Sequence, residues 1–168
     1  HILNEHDAYR AHRAYVPDVD MERLLRDQGL PLFALESKRS LSAYDVLGIT
    51  LPHELCYTNI LTVLELAGIP WRSDARNDEY PLILGGGACA LNPEPVADFF
   101  DAVVLGDGEE IILELADMLS LAKREQWGRA VVLDRLSEIQ GVYVPSFFEP
   151  RYKDGRLVDI TSRKKGYE

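Results

Sequence analysis

Along the chain, short apolar runs alternate with stretches in which apolar residues recur every three or four positions. These are the periods of buried strands and of amphipathic helices. Residues 1–7 read as the end of a helix. "YRAHRAYVP" alternates up to Pro17 and predicts a strand over 9–16. "DVDMERLLRDQGLP" predicts a helix with Asp18 or Asp20 as N-cap, Met21, Leu24 and Leu25 on one face, and Gly29 as stop. "PLFALES" suggests a brief edge strand, and "YDVLGITL", between Ser42 and Pro52, a buried one. A helix follows with apolar positions at Leu55, Ile60, Leu61, Leu64 and Ala67, ended by Gly68 and Pro70. "PLILGGG" is a buried strand running into a glycine turn, and "PEPVADFF" one or two helical turns. "DAVVLGDGEE" is a further strand and turn, and "EEIILELADMLSLAKREQ" a helix with acids at its start, matching the helix dipole. The last third is aromatic and β-branched around Asp154-Gly155, a strong hairpin signal.

Strands alternating with helices predict a doubly wound α/β fold, a parallel sheet with helices on both faces, followed here by a C-terminal β-hairpin. Ligands of such sheets sit outside the carboxyl ends of the strands. Three loops fall there: Thr50-Leu51-Pro52-His53-Glu54, Gly85 to Asn92, and Gly106 to Glu110. All three should face one crevice.

Charge narrows what that crevice takes. With 18 Lys+Arg against 28 Asp+Glu, the net charge of −10 repels nucleic acid. The apolar runs fall short of the ~20 residues of a membrane span. There is no basic-then-apolar leader, and the two cysteines, Cys56 and Cys89, suggest no disulfide framework. A cytoplasmic protein is expected. "GGGACA" lacks the G-x-G-x-x-G spacing, and no Gly-Lys-Ser/Thr follows. Asp107, Glu109 and Glu110 at a helix N-terminus would repel a phosphate; helix capping is their bland role. His1, His6, His12 and His53 show no i,i+4 pairing, and the chain has no Cys-x-x-x-Cys-x-x-Cys and no G-x-S-x-G. No self-contained active site emerges, so catalytic residues are expected to be none. Gly85, Gly86 and Gly87 suit close approach of something large and weakly charged, or simply tight turns.

Gly85-Gly86, Pro93-Glu94 and "DAVVLGDGEE", with Asp101, Val103, Val104, Gly106, Asp107, Gly108 and Glu109 in order, resemble a G-G…P-E…D-x-V-V-x-G-[DE]-G-E signature. That signature belongs to cobalamin-binding-type domains preceding radical S-adenosylmethionine (SAM) cores. "DMERLLRDQGLPLFALES", "YDVLGITLPHELCYTNIL" and "LAGIP" resemble the amino-terminal part of a radical SAM family of Fe–S oxidoreductase type. The resemblance covers nearly the whole chain. It implies a flavodoxin-like, cobalamin-binding-like sheet over residues 1–140, and a hairpin and linker over 141–168 leading to a radical SAM core. It implies a cobalamin crevice lined by Thr50, Leu51, Gly85, Gly86, Gly87, Asn92, Gly106, Asp107, Gly108 and Glu109. Thr50-Leu51 would stand in for the S-x-L segment of base-off cobalamin domains; their D-x-H-x-x-G loop has no counterpart here. SAM and a [4Fe-4S] cluster would belong to the core of the same polypeptide, the expected partner.

The resemblance also implies that the family's first strand, central in the order 2-1-3-4-5, is absent. The strand expected at 9–16 would then lack its neighbour, and disorder or an edge-strand dimer would result. Three functional readings stay open: a cofactor- or substrate-docking domain, a degenerate structural module that packs on the core without a ligand, and a small enzyme on a flavodoxin-like fold.

Overall fold

The computed structural model describes residues 2–164. Its centre is a four-stranded sheet, β1 (Val46–Thr50), β2 (Leu82–Gly86), β3 (Ala102–Val104) and β4 (Val142–Tyr143), in that order. β1, β2 and β3 are parallel, with Val46 opposite Leu82 and Leu84 opposite Ala102; β4 returns antiparallel, with Val103 opposite Tyr143. A separate antiparallel pair, β5 (Phe148–Lys153) and β6 (Arg156–Ser162), follows.

Side chains alternate across the sheet, and each set has its own cover. Leu47, Ile49, Ile83 and Val103 pack with Leu25 of α1 (Val19–Gln28) and with Ile60, Leu64 and Leu66 of α2 (Tyr57–Leu66). Val46, Leu82, Leu84, Ala102, Val104 and Val142 pack with Leu115 and Ala122 of α3 (Gly108–Arg124) and with Val132 and Leu136 of α4 (Arg129–Leu136). Helices therefore cover both faces, as the alternation of elements predicted. Full burial of side chains such as Ile60 and Leu64 contributes roughly 1.5–3 kcal/mol each.

Local signals held where they were chemical. Asp18, not Asp20, caps α1, accepting from the Val19 N–H, and Gly29 ends it at φ 61°. Asp154 and Gly155 both take positive φ, 51° and 73°, as a tight hairpin turn requires.

The strand expected at 9–16 does not form. Its polar backbone groups are taken locally: Asn4 brackets Ala11 through both N–H and C=O, Glu36 accepts from the Arg13 N–H at 2.7 Å, and the Leu35 N–H donates to the Arg13 carbonyl. Nor does "PLFALES" extend; one bridge, Phe33 to Ser40, closes a turn with Lys38 at φ 58°. Leu55 leaves the predicted helix face, because residues 54–56 make a 3-10 turn ahead of α2 and leave it 88% exposed.

The sheet's open edge belongs to β1. The Asp45 carbonyl and the Leu51 N–H both bond to β2, so the alternate residues Val46, Gly48 and Thr50 turn their N–H and C=O outward. Among the described residues no strand pairs with that side, and no helix is long and apolar enough to cross a membrane.

Candidate functional site at the carboxyl ends of the strands

β1 and β2 end in register, Thr50 opposite Gly86, so the loops that leave them meet. Leu51, the first residue past β1, is fully buried. Its N–H donates to the Gly86 carbonyl at 2.7 Å, and its own carbonyl accepts from the Cys89 N–H at 2.9 Å. Gly87 lies over this crossing at φ 104°, where a Cβ would stand 3.2 Å from both the Leu51 nitrogen and oxygen. Only glycine meets both demands, the positive φ and the contact. Gly85 is buried, and a Cβ there would press to 3.1 Å on the Phe100 ring. In the 3-10 turn Ala88–Leu91, Ala90 is fully buried, while the Asn92 N–H donates to the Cys89 carbonyl and Asn92 is exposed.

The third loop is held from another side. The Leu105 N–H donates to the Gly141 carbonyl at 2.7 Å, next to β4. Gly106, Asp107, Gly108 and Glu109 are all exposed, and a Cβ on Gly106 or Gly108 would meet nothing within 4 Å. Asp107 is the N-cap residue of α3 but makes no side-chain capping bond. The structure thus interlocks Thr50, Leu51 and Gly85 to Gly87, whereas Gly106 to Glu109 form an open turn tied to the β4 side. Gly86 lies between these situations, half-buried with only the Val104 Cβ at 4.0 Å.

The rim carries apolar and thiol groups. Leu55 and Leu91, one on each interlocked loop, are 88% and 75% exposed. The Cys56 Sγ lies 3.5 Å from both ring nitrogens of His53. Burial pushes the Tyr57 phenol up, and the neighbouring Cys89 and Glu54 add to it. Sequence periodicity had assigned Leu55 to a core face and hid its exposure. Among the described residues no group of three His, Cys, Asp or Glu is placed to hold a metal. Cys56 and Cys89 offer two thiolates, fewer than the three of the Cys-x-x-x-Cys-x-x-Cys motif, so these residues do not fit a [4Fe-4S] cluster of the radical kind. Two open surface clefts lie elsewhere, one between Tyr9 and the α3 residues Asp117 and Leu121, the other between Leu25 and Gly68.

At the opposite end of β3, Asp101 is buried and organises charge. Its carboxylate accepts from the Ile83 N–H at 2.7 Å and from Arg129 Nη2 at 2.8 Å, and pairs with Arg76 Nη2 at 3.4 Å. Arg129 also donates to the carbonyls of Asn77, Tyr80 and Pro81. Burial pushes the Arg76 guanidinium below its ordinary value, and the Asp101 charge opposes that. Nothing in the spacing along the chain announced Arg76 or Arg129; Arg129 lies 28 positions from Asp101.

Comparison with known proteins agrees with the resemblance read from the motifs. Residues 1–145 match the family described as radical SAM proteins, N-terminal. An uncharacterized protein of Methanocaldococcus jannaschii is 24% identical over 121 residues, 70% of this chain and 22% of that protein. The chain therefore spans about a fifth of the length of that curated relative. No solved structure matches it. Matched over most of its length, residues 1–145, the chain belongs to the radical SAM proteins, N-terminal family.

Proposed function

We propose that this chain is a docking module of a radical SAM protein, one that works by packing on the catalytic core of the same polypeptide and holds no cofactor of its own. The observation that carries this reading is the lock between Leu51 and Gly87. At Gly85 and Gly87 the space that a side chain would need is taken by the chain itself, by the Phe100 ring and the Leu51 backbone. Among the polar residues of the strand-end loops, two large apolar side chains, Leu55 and Leu91, stand 88% and 75% exposed on consecutive loops, which supports a protein contact at this end. SAM and the [4Fe-4S] cluster then belong to the core, which supplies the radical chemistry, while residues 1–140 position it.

The cobalamin reading keeps one support, the open backbone at Gly86, Gly106 and Gly108. Titration of the protein with hydroxocobalamin, followed by absorbance, separates the two. No spectral change up to millimolar cobalamin is expected. Micromolar binding would overturn the cofactor-free module. A second readout tests the packing directly. In the full-length radical SAM protein, hydroxyl-radical labelling of Leu55 and Leu91 should fall severalfold relative to the 168-residue chain, and equal labelling would count against the docking role.

A further inference from the structure

The β5–β6 hairpin is a two-faced arm whose faces differ in chemistry. Paired residues of an antiparallel ladder share a face. Phe148 pairs with Ser162, Pro150 with Ile160, and Tyr152 with Leu157, whereas Glu149 pairs with Thr161 and Arg151 with Asp159. The second set, which also includes the pair Lys153 and Arg156, is charged in every pair, with ion pairs of Arg151 to Asp159 at 3.0 Å and of Arg163 to Glu149 at 3.4 Å. It is a face made for water. Beyond Phe148 and Ser162 at its base, the first set is apolar and exposed: Tyr152 is 55% exposed, Leu157 and Ile160 40% each, and Val158, the extra residue at the register shift, 52%. An isolated two-stranded hairpin is marginal in water and needs a partner layer for its apolar side.

The arm is nonetheless held at its base. The Lys164 ammonium donates to Ser137 Oγ and pairs with Asp134 at 2.7 Å, both at the end of α4. The Arg163 N–H donates to the Phe147 carbonyl at 2.7 Å, and the Phe148 ring packs on Tyr143 of β4 at 4.8 Å. Its base is therefore held by α4 and β4, while Tyr152, Leu157 and Ile160 farther along its apolar face remain 40–55% exposed. The match to the N-terminal family runs over residues 1–145, so the arm lies beyond it.

We infer that the apolar face of the hairpin (Pro150, Tyr152, Leu157 and Ile160) is a second docking surface, covered by the radical SAM core of the same polypeptide. The proposal rests on the reading of this chain as one part of a longer radical SAM protein. It does not rest on the strand ends being the other contact. The relative that matches this chain has most of its length outside the matched region, which provides a partner in cis at high effective concentration. An amphipathic arm with a rigid base orients that partner and leaves the charged face in solvent.

Hydroxyl-radical footprinting read by mass spectrometry tests it without altering the chain. The full-length protein and the 168-residue chain are compared at equal, low concentration. The expected result is a severalfold loss of labelling at Tyr152, Leu157 and Ile160 in the full-length protein, with solvent-facing residues unchanged. The Ile160→Glu variant of the full-length protein should restore labelling at Tyr152 while leaving that of Leu55 and Leu91 as it was. Equal labelling of the arm in both proteins overturns the proposal. So does protection already present in the 168-residue chain that grows with concentration, because the occupant is then a second copy. Loss of protection at Leu55 and Leu91 alone would sink the strand-end docking and leave the arm standing.

Discussion

Replacing Asp101 by Asn is the most demanding test of the energetic argument. The change is nearly isosteric, so it opens no cavity, and an amide oxygen can still accept from the Ile83 N–H. What it removes is the charge that faces two buried guanidinium groups. The Arg76 side chain is 0% exposed, Asp101 1% and Arg129 11%. The Arg76 Nη atoms also donate to the carbonyls of Pro70, Trp71 and Phe99, and its Nε has no hydrogen-bond partner among the described residues, so Asp101 is the charge that balances it. Breaking a buried ion pair by removing one partner costs about 3–5 kcal/mol, because the remaining charge stays desolvated. A domain of this kind has a total stability of roughly 5–15 kcal/mol. With about 1–3 kcal/mol per molar urea as the unfolding slope, the midpoint should fall by about 1 M or more. Urea unfolding of wild type and Asp101→Asn, followed by circular dichroism, gives the number. Asp98→Asn is the control: its pair with Arg72 is as short, 2.8 Å, but 56% and 65% exposed, and screening by solvent leaves it a minor contribution. A wild-type midpoint for Asp101→Asn, or an equal loss in both variants, would refute the claim that burial is what gives this cluster its weight.

Other outcomes follow from single positions. Gly87→Ala and Gly106→Ala impose the same positive φ, 104° and 101°, but only Gly87 would also strike the Leu51 backbone. Thermal melts should show Gly106→Ala losing about 1 kcal/mol from strain alone and Gly87→Ala clearly more; equal losses would mean that the lock is loose. Gly85→Ala presses on the Phe100 ring at 3.1 Å and should cost about 1–3 kcal/mol by overpacking, checked by the same melts. The Arg13 side chain and N–H hold the Glu36 carboxyl down at about 2, from an ordinary 4.5. Since the folded value is the lower, the contribution of Glu36 is complete above pH 4.5 and is lost as pH falls toward 2. Glu36→Gln should therefore flatten the acid limb of stability in that window, and an NMR titration of Glu36 with an ordinary midpoint would contradict the pairing. The open edge of β1 predicts concentration-dependent self-association. Gly48→Pro, which removes an outward N–H, should sediment as monomer, and identical sedimentation of both proteins would remove the edge as its cause.

Much of the architecture was legible in the residue pattern because it is written locally. Apolar periods marked β1, β2, β3, α2 and α3. Asp18 and Gly29 marked the ends of α1, and Asp154-Gly155 the hairpin turn, since caps and tight turns depend on a few adjacent residues. The glycine and acidic motifs resembled those of cobalamin-binding-type domains that precede radical SAM cores, and the family match bears out the radical SAM part of that resemblance. The site was legible only as a set of loops.

Its state was decided by residues distant in sequence. Alternation over 9–16 predicted a strand, but Asn4 and Glu36 bind that backbone first. α4 carries weak periodicity and is pinned instead by Arg129 to Asp101 and to the carbonyls at 77, 80 and 81. Val142–Tyr143 looked like part of the hairpin and pairs with β3. The glycine run announced room without saying for whom; in the fold a Cβ on Gly85 would meet the Phe100 ring and one on Gly87 the Leu51 backbone, while Gly86 stays open. A sequence states where backbone can come close. Only packing, which brings segments far apart in the chain to within a few ångströms, determines whether a ligand or the protein itself takes that place.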